Sequence, residues 1–366
     1  MNSAIVLGAG MVGVATAIHL QQRCWSVTLI DRKQPGCETS YGNAGIIQSE
    51  ALRPYAMPHD WRELVEIATG RTNDVRCRLA ALPYHLGPLF RYWWHSFPNQ
   101  HARVSAVYAR IIALAAREHE LLIRQSRADH LIRRDGFRVL HRDQAALDAA
   151  ARGASALHEA YGVKFRVLSS IDLKQAEPAL TDTGVGGLHW LEPWTASDPG
   201  ALVTAFAGLF TRLGGRIVLG DAQNLSESNG GWSIATEDGR AEAQAAVVAL
   251  GPWSPGLLRR FGYRFSMLRK RGYHRHYVEG SSLDLPLCDA ADGYVLAPMS
   301  KRRPYHHGRR TRKARRETGH RAACARRTSC AEADGPRPAS GAGALAWHKA
   351  LYARHASGDW ARSASF

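Results

Sequence analysis

"AIVLGAGMVGVATAIHLQQRCWSVTLIDR", residues 4–32, decides the fold. The apolar run Ala4 to Leu7 predicts a strand, helical spacing of apolar residues predicts a helix over Val12 to Leu20, and the β-branched run Val27 to Ile30 predicts a second strand. Between the first strand and the helix, Gly8, Gly10 and Gly13 spell G-x-G-x-x-G. The first glycine permits a tight turn, the second lets a pyrophosphate approach the backbone at the helix N-terminus, and the third lets helix and strand pack closely. Asp31 closes the second strand 23 positions after Gly8, where a carboxylate can accept ribose hydroxyls. Together these features define a dinucleotide-binding unit, with NAD and FAD both open at this point.

Working outward, residues 38–45 read "ETSYGNAG", a cluster of small, hydroxyl and amide residues suited to close main-chain contact with a phosphate or a flavin ring. With this element the sequence resembles the FAD-dependent oxidoreductases of the D-amino-acid oxidase superfamily, most closely the bacterial D-amino-acid dehydrogenase small-subunit type. In that family "ETS-x-x-NAG" follows the glycine motif and lines the flavin; Glu38, Thr39, Ser40, Asn43, Ala44 and Gly45 match it. The resemblance implies FAD as cofactor, contacted by Gly8, Gly10, Gly13, Asp31, Arg32, Thr39, Ser40, Asn43, Ala44, Gly45 and Gly251. An NAD-dependent dehydrogenase would use the same glycines but has no reason to carry "ETSYGNAG".

Further along, Val104, Val107, Ile111, Leu114, Leu121 and Leu122 fall at helical spacing and predict one amphipathic helix over residues 102–123. Before it, "LFRYWWHSF" (89–97) reads as core or substrate-lobe wall, with an aromatic membrane-interface patch as the alternative. "GFRVLH" (136–141) predicts a strand, and "AEPAL" (176–180) matches a recurrent family element. Residues 197–220 predict a helix closed by Gly214 and Gly215 and then a strand; a hairpin about Asp238 and Gly239 and a buried strand Ala246 to Leu250 lead to Gly251. The expected class is α/β with an α+β substrate lobe: a Rossmann-like FAD-binding lobe from residues 1–52 and 190–260, interleaved with an antiparallel-sheet substrate lobe from 53–189 and 261–300.

The net charge of +16 has to be located before it is interpreted. Residues 301–366 hold 16 Lys and Arg against four acids, a net of +12, leaving the body with 32 basic and 28 acidic residues, a net of +4. A basic nucleic-acid arm, a disordered tail and an out-of-frame translation compete for this segment. Reading the last two bases of each codon with the first of the next tests the third. Trp347 before His348 then forces Gly, Tyr352 and His355 each allow only Met or Thr, Asp359 allows Ile or Thr, and Trp360 forces Gly. One permitted solution for residues 347–360 is G-T-K-P-C-M-P-D-M-L-P-V-I-G, like the C-terminal element that the family carries and residues 301–366 lack. The out-of-frame reading is preferred, and no nucleic-acid partner is expected.

The resemblance implies oxidative deamination of D-amino acids, with hydride passing from Cα to flavin N5 and electrons leaving to a quinone or oxygen. Glycine or sarcosine oxidase-like chemistry is the nearest alternative, and an inactive truncated product another. For the substrate, Arg53 offers a carboxylate contact and Tyr55 a hydrogen bond, with Tyr273 and His274 as wall residues. The pairs His274/His276 and His306/His307 lack an obvious third ligand, so no metal is expected. Six scattered cysteines and the absence of a long apolar window predict a cytoplasmic chain, with peripheral contact at the inner membrane left open.

Overall fold

The computed structural model describes residues 2–68, 82–265 and 283–300, with isolated positions at 267, 271–272, 274 and 354–355. The chain opens with β1 (Ser3–Leu7), α1 (Met11–Gln22) and β2 (Ser26–Asp31), as the opening stretch predicts. A short β3 (Ile46–Ile47) leads to four helices, α2 (Trp61–Ala68), α3 (Leu82–His95), α4 (Pro98–Ile112) and α5 (Ala115–Ser126). Next come β4 (Ile132–Arg133), β5 (Phe137–His141), α6 (Gln144–Tyr161), β6 (Phe165–Ser169), α7 (Ser170–Ala176), β7 (Gly186–Trp190) and β8 (Trp194–Ala196). The chain returns through α8 (Pro199–Arg212), β9 (Arg216–Leu219), the meander β10 (Ser226–Ser228), β11 (Gly231–Thr236) and β12 (Gly239–Ala243), then β13 (Ala245–Val248) and α9 (Ser254–Leu258). Last are β14 (Arg271–Gly272), β15 (Leu287–Asp289) and β16 (Tyr294–Leu296). Arg354–His355 pairs with β14, and the remainder of the basic tail lies outside the described residues.

Strands β13, β1, β2 and β9 form a parallel sheet in that order. Alternation along its strands sends Val6, Val27 and Leu29 to one face, where α1 and α8 cover them with Val14, Ile18, Val203, Phe206 and Phe210. Ile5, Leu7 and Ile30 take the other face and meet Leu225 and Ile234 of the meander segment. A sheet covered on both faces reads as continuous apolar runs, which is why β1 and β2 are legible from composition alone. Helix α8 starts where Asp198 accepts the Ala201 N–H and Pro199 takes the first turn.

The second sheet runs β16, β15, β5, β7, β6 and is antiparallel except for the parallel pair β5 and β15. Asp289, fully buried on β15, accepts from Arg142 at 2.8 Å and from the Tyr294 hydroxyl at 3.3 Å. Burial, reinforced by that carboxylate, pushes the Tyr294 hydroxyl up to about 12. A third sheet, β3, β8, β4, stitches the segment after the glycine loop to the segment before β5.

Three expectations are corrected. The helix over 102–123 is two, α4 and α5, separated at Ala113 and Leu114. On α4 the apolar stripe faces outward, with Val107 61% and Ile111 64% exposed while Ser105 and Ala109 are buried, whereas Leu122 on α5 enters the core. Small residues allow the helix to approach closely, and Ala109 packs with Leu52 and Val163. The "LFRYWWHSF" stretch likewise leaves Phe90 and Trp94 exposed instead of forming core. Strand β13 is half-buried because it is the edge of its sheet among the described residues.

Candidate functional site

Three glycines build the first part of the site, and each does something different. Gly8 turns with φ of +108°, and a Cβ there would lie 2.4 Å from the Ala249 carbonyl oxygen. A Cβ on Gly13 would lie 1.7 Å from the Gly8 oxygen, so both positions are closed by packing. At Gly10 a Cβ would meet only the Ser40 Oγ, 4.0 Å away. Its backbone therefore faces Ser40 across a narrow cleft, also lined by Asp31, Glu38 and Thr39.

Asp31 works first on the loop itself: its Oδ2 accepts the Ala9 N–H at 2.7 Å and its Oδ1 the Lys33 N–H at 3.1 Å. Arg32 pairs with Glu38 at 3.1 Å and lies over the Trp253 ring at 4.9 Å. Gly251 turns the chain after β13 with φ of +56°, next to open space.

Loop 38–45 is held at its far end. The Asn43 Oδ1 accepts the Gly45 N–H at 2.9 Å, and the Ala196 N–H of β8 donates to the Gly45 carbonyl at 2.7 Å. Gly45 has φ of +77°, and a Cβ there would lie 2.2 Å from the Ala196 oxygen. His274 packs against the same loop, its ring filling the space a Gly42 Cβ would need and lying 5.9 Å from Tyr41. Tyr273 lies outside the described residues.

Beyond Ala44 opens a cavity of about 250 Å³, lined by Arg133, Thr195, Ser197, Asp284 and Ser300 among others. Arg53 and Tyr55 do not line it. Arg53 lies over the Tyr161 ring at 5.9 Å, and Tyr55 is 75% exposed with its carbonyl taken by the Tyr92 hydroxyl. Of the residues that line the cavity, Ala44 is among the site residues expected from the sequence, whereas Arg133, Thr195, Ser197, Asp284 and Ser300 are not. Arg133 donates to the Asp284 carbonyl. Glu177, fully buried, accepts the Asp284 and Leu285 N–H groups at 2.8 and 2.9 Å and pairs with Arg138. The "AEPAL" element was the available signal for Glu177; Arg133 had none.

A glycine turn on a parallel sheet, with an unobstructed backbone face opposite a hydroxyl and a loop running on to a second-lobe cavity, defines a nucleotide-cofactor oxidoreductase. The family model for FAD dependent oxidoreductases, DAO, matches residues 3–333, and the chain belongs to that family. It is 32% identical over 309 residues to a D-amino acid dehydrogenase of Sinorhizobium medicae, covering 81% of this chain and 70% of the relative. It is 30% identical over 273 residues to a D-amino-acid oxidase of Bradyrhizobium diazoefficiens, covering 74% of this chain and 64% of the relative. The chain thus spans about two thirds of the length of the curated relatives it matches. Among solved structures, glycine oxidase from Geobacillus kaustophilus superposes with a TM-score of 0.56 at 17% identity, covering 82% of this chain and 69% of that one, a likeness of fold. No helix among the described residues is long and apolar enough to cross a membrane.

Proposed function

We propose that the chain is a flavoenzyme that oxidises the Cα–N bond of D-amino acids and hands the electrons to a separate acceptor. The observation that carries this reading is loop 38–45, which lines the glycine cleft through Glu38, Thr39 and Ser40 and the larger cavity through Ala44. FAD would be held by the Gly8 to Gly13 turn, Thr39, Ser40, Asn43, Ala44, Gly45 and Gly251. Bound there, it supplies the two-electron oxidation that turns an amino acid into an imino acid, which water hydrolyses to a 2-oxo acid and ammonia. The chain's own task is to bind the amino acid and orient its Cα. The names of the two curated relatives support D-amino acids and differ over the acceptor, one a dehydrogenase and the other an oxidase.

The outer face of α4 and α5 supports an acceptor at a membrane. Val104, Val107, Ile111 and Leu114 form an exposed stripe accompanied by exposed Arg103, Arg110 and Arg117, a pattern that suits an anionic lipid surface. Cosedimentation with phosphatidylglycerol vesicles but not phosphatidylcholine vesicles is expected; equal recovery with both would remove the membrane from this reading. For the chemistry, the full chain reconstituted with FAD is mixed anaerobically with D-alanine, L-alanine or sarcosine. Bleaching of the flavin band by D-alanine is expected. Reduction by sarcosine alone would replace the reading with sarcosine oxidase-like chemistry, and no reduction by any amine would end it.

A further inference from the structure

We propose that Asp284 selects the side chain of the substrate, favouring D-amino acids that carry a second, distal cation; the assignment rests on the amino-acid reading above. Among the described residues, Asp284 is the one acid on the wall of the cavity beyond Ala44. It is exposed and makes no ion pair with any of them. The acids on either side of it in the second sheet are committed, Glu177 to Arg138 and both Asp182 and Asp289 to Arg142. Arg134 is committed as well: it donates to Glu120 and Asp129, each at 2.9 Å, and lies over the Trp194 ring at 4.5 Å. Arg133 lines the same cavity, but its Nη1 donates to the Asp284 carbonyl and it forms no ion pair with the Asp284 carboxylate.

The backbone that carries this carboxylate is fixed. Glu177 accepts the Asp284 and Leu285 N–H groups at 2.8 and 2.9 Å, and the Pro286 carbonyl accepts the Arg138 N–H at 2.9 Å. Leu283, Leu285 and Leu287 are buried around it. The charge is thus presented to the cavity with its own partner still to come. The substrate's α-amine does not suit that role. For Cα to give up its hydride, the nitrogen lone pair has to form the C=N bond, and a carboxylate beside an ammonium holds the proton on it. A cation farther along the side chain has no such conflict. The rest of the wall fits its stem, since Leu283, Pro286, Pro298 and Met299 are apolar and a Lys-like side chain covers such a surface with methylenes while its head stays with a charge. A volume of about 250 Å³ is many times that needed for one water, which leaves room for a stem of several carbons. A neutral side chain covers the same carboxylate and replaces none of the water it displaces. Arg133 balances Asp284 in the charge of the wall, so the preference comes from this contact and not from the field of the whole cavity.

The test titrates the full-length chain, reconstituted with FAD, with 6-aminohexanoate and with hexanoate by isothermal titration calorimetry. These are lysine and norleucine without the oxidisable α-amine. The first is expected to bind about tenfold more tightly, as a hydrogen bond to a charged group contributes that much. Asp284→Asn should bring 6-aminohexanoate to the level of hexanoate without weakening hexanoate, and Asp284→Glu should keep a preference. Because Asp284 is exposed, the melting temperature should not move, which separates lost binding from lost folding. In anaerobic titrations the flavin should be half bleached at a lower concentration of D-lysine than of D-norleucine, and Asp284→Asn should close that gap. If the parent binds the two probes equally, or Asp284→Asn keeps the preference, while D-amino acids still bleach the parent's flavin, the Asp284 assignment is wrong and the flavoenzyme reading survives. If D-lysine, D-norleucine and D-alanine all leave the flavin oxidised, the amino-acid reading falls and this assignment with it.

Discussion

Glu177 and Glu50 are both buried carboxylates, and their surroundings give them opposite consequences. Glu177 is paired with Arg138 and accepts two backbone N–H groups. Glu177→Gln keeps the size but strands the guanidinium, and removing one partner of a buried pair costs about 3–5 kcal/mol. A loss of that order in the unfolding free energy from urea denaturation is expected; a change no larger than a surface substitution gives would contradict a buried pair. Glu50 accepts the Gln48 amide at one oxygen, at 2.8 Å, and is helped by the neighbouring backbone N–H groups of Ser49 and Glu50, while its Oε2 has no close partner among the described residues. Burial is the leading influence and holds its carboxyl above the ordinary value of 4.5. Folding therefore favours the protonated form, so this contribution is full at low pH and is lost as pH rises from 4.5 through the raised folded value. Glu50→Gln should be more stable than the parent at about pH 8 and nearly equal to it at about pH 4. Denaturation midpoints at both pH values check this, and a gap independent of pH would contradict it.

Within the cofactor loop system, two glycines separate folding from binding. Gly10→Ala adds a methyl whose nearest neighbour is 4.0 Å away, at a φ of −80° that any residue adopts, so the fold should be unaffected. If the Gly10 backbone receives the FAD pyrophosphate, this variant melts like the parent and binds FAD far more weakly. Gly45→Ala puts a methyl 2.2 Å from the Ala196 oxygen at φ of +77°, which should cost more than about 1 kcal/mol and loosen the loop from β8. Melting temperature and flavin content, measured on both variants, distinguish the two; equal losses of FAD and stability in each would refute the division. The same elements mark the limit of sequence reading. Strand β1, helix α1 and strand β2 were legible because periodicity, glycine spacing and the closing acid all coincide locally. The sheet β3, β8, β4 was not, because it joins Ile46 to Thr195 and Arg133 to Thr195 through strands of two or three residues with no period to detect. For α4 the periodicity was correct and its direction was not, since burial goes to Ser105 and Ala109. Arg133 and Arg134 are identical letters, and only tertiary contacts show which one is already paired.

At the scale of the whole molecule, the cofactor sheet ends at β13 on one side among the described residues. The edge strand β13 has a neighbour on one side only among the described residues, and its alanines and valines are half-buried. An apolar edge of this kind is a liability that folded proteins cover or pair. Residues 301–366 carry a net of +12, whereas the rest of the chain carries +4. We propose that they are translated out of frame from a point near Lys301. Support comes from the forced positions at Trp347 and Trp360, which yield glycine in the shifted frame, and from the restricted codons at Tyr352, His355 and Asp359. Reading the coding DNA over codons 290–366 in all three frames decides the matter. A shifted frame that spells a Pro- and Gly-containing element ending in Ile-Gly or Thr-Gly is expected, and its absence would overturn the proposal and return the segment to the nucleic-acid arm. The physical consequence can be measured separately. Restoring the frame should raise the melting temperature and the FAD retained through gel filtration, because both depend on completing the cofactor lobe. If the restored chain instead retains no more FAD than the present one, residues 2–300 already contain the whole cofactor site, and the tail, whatever its frame, adds nothing to it.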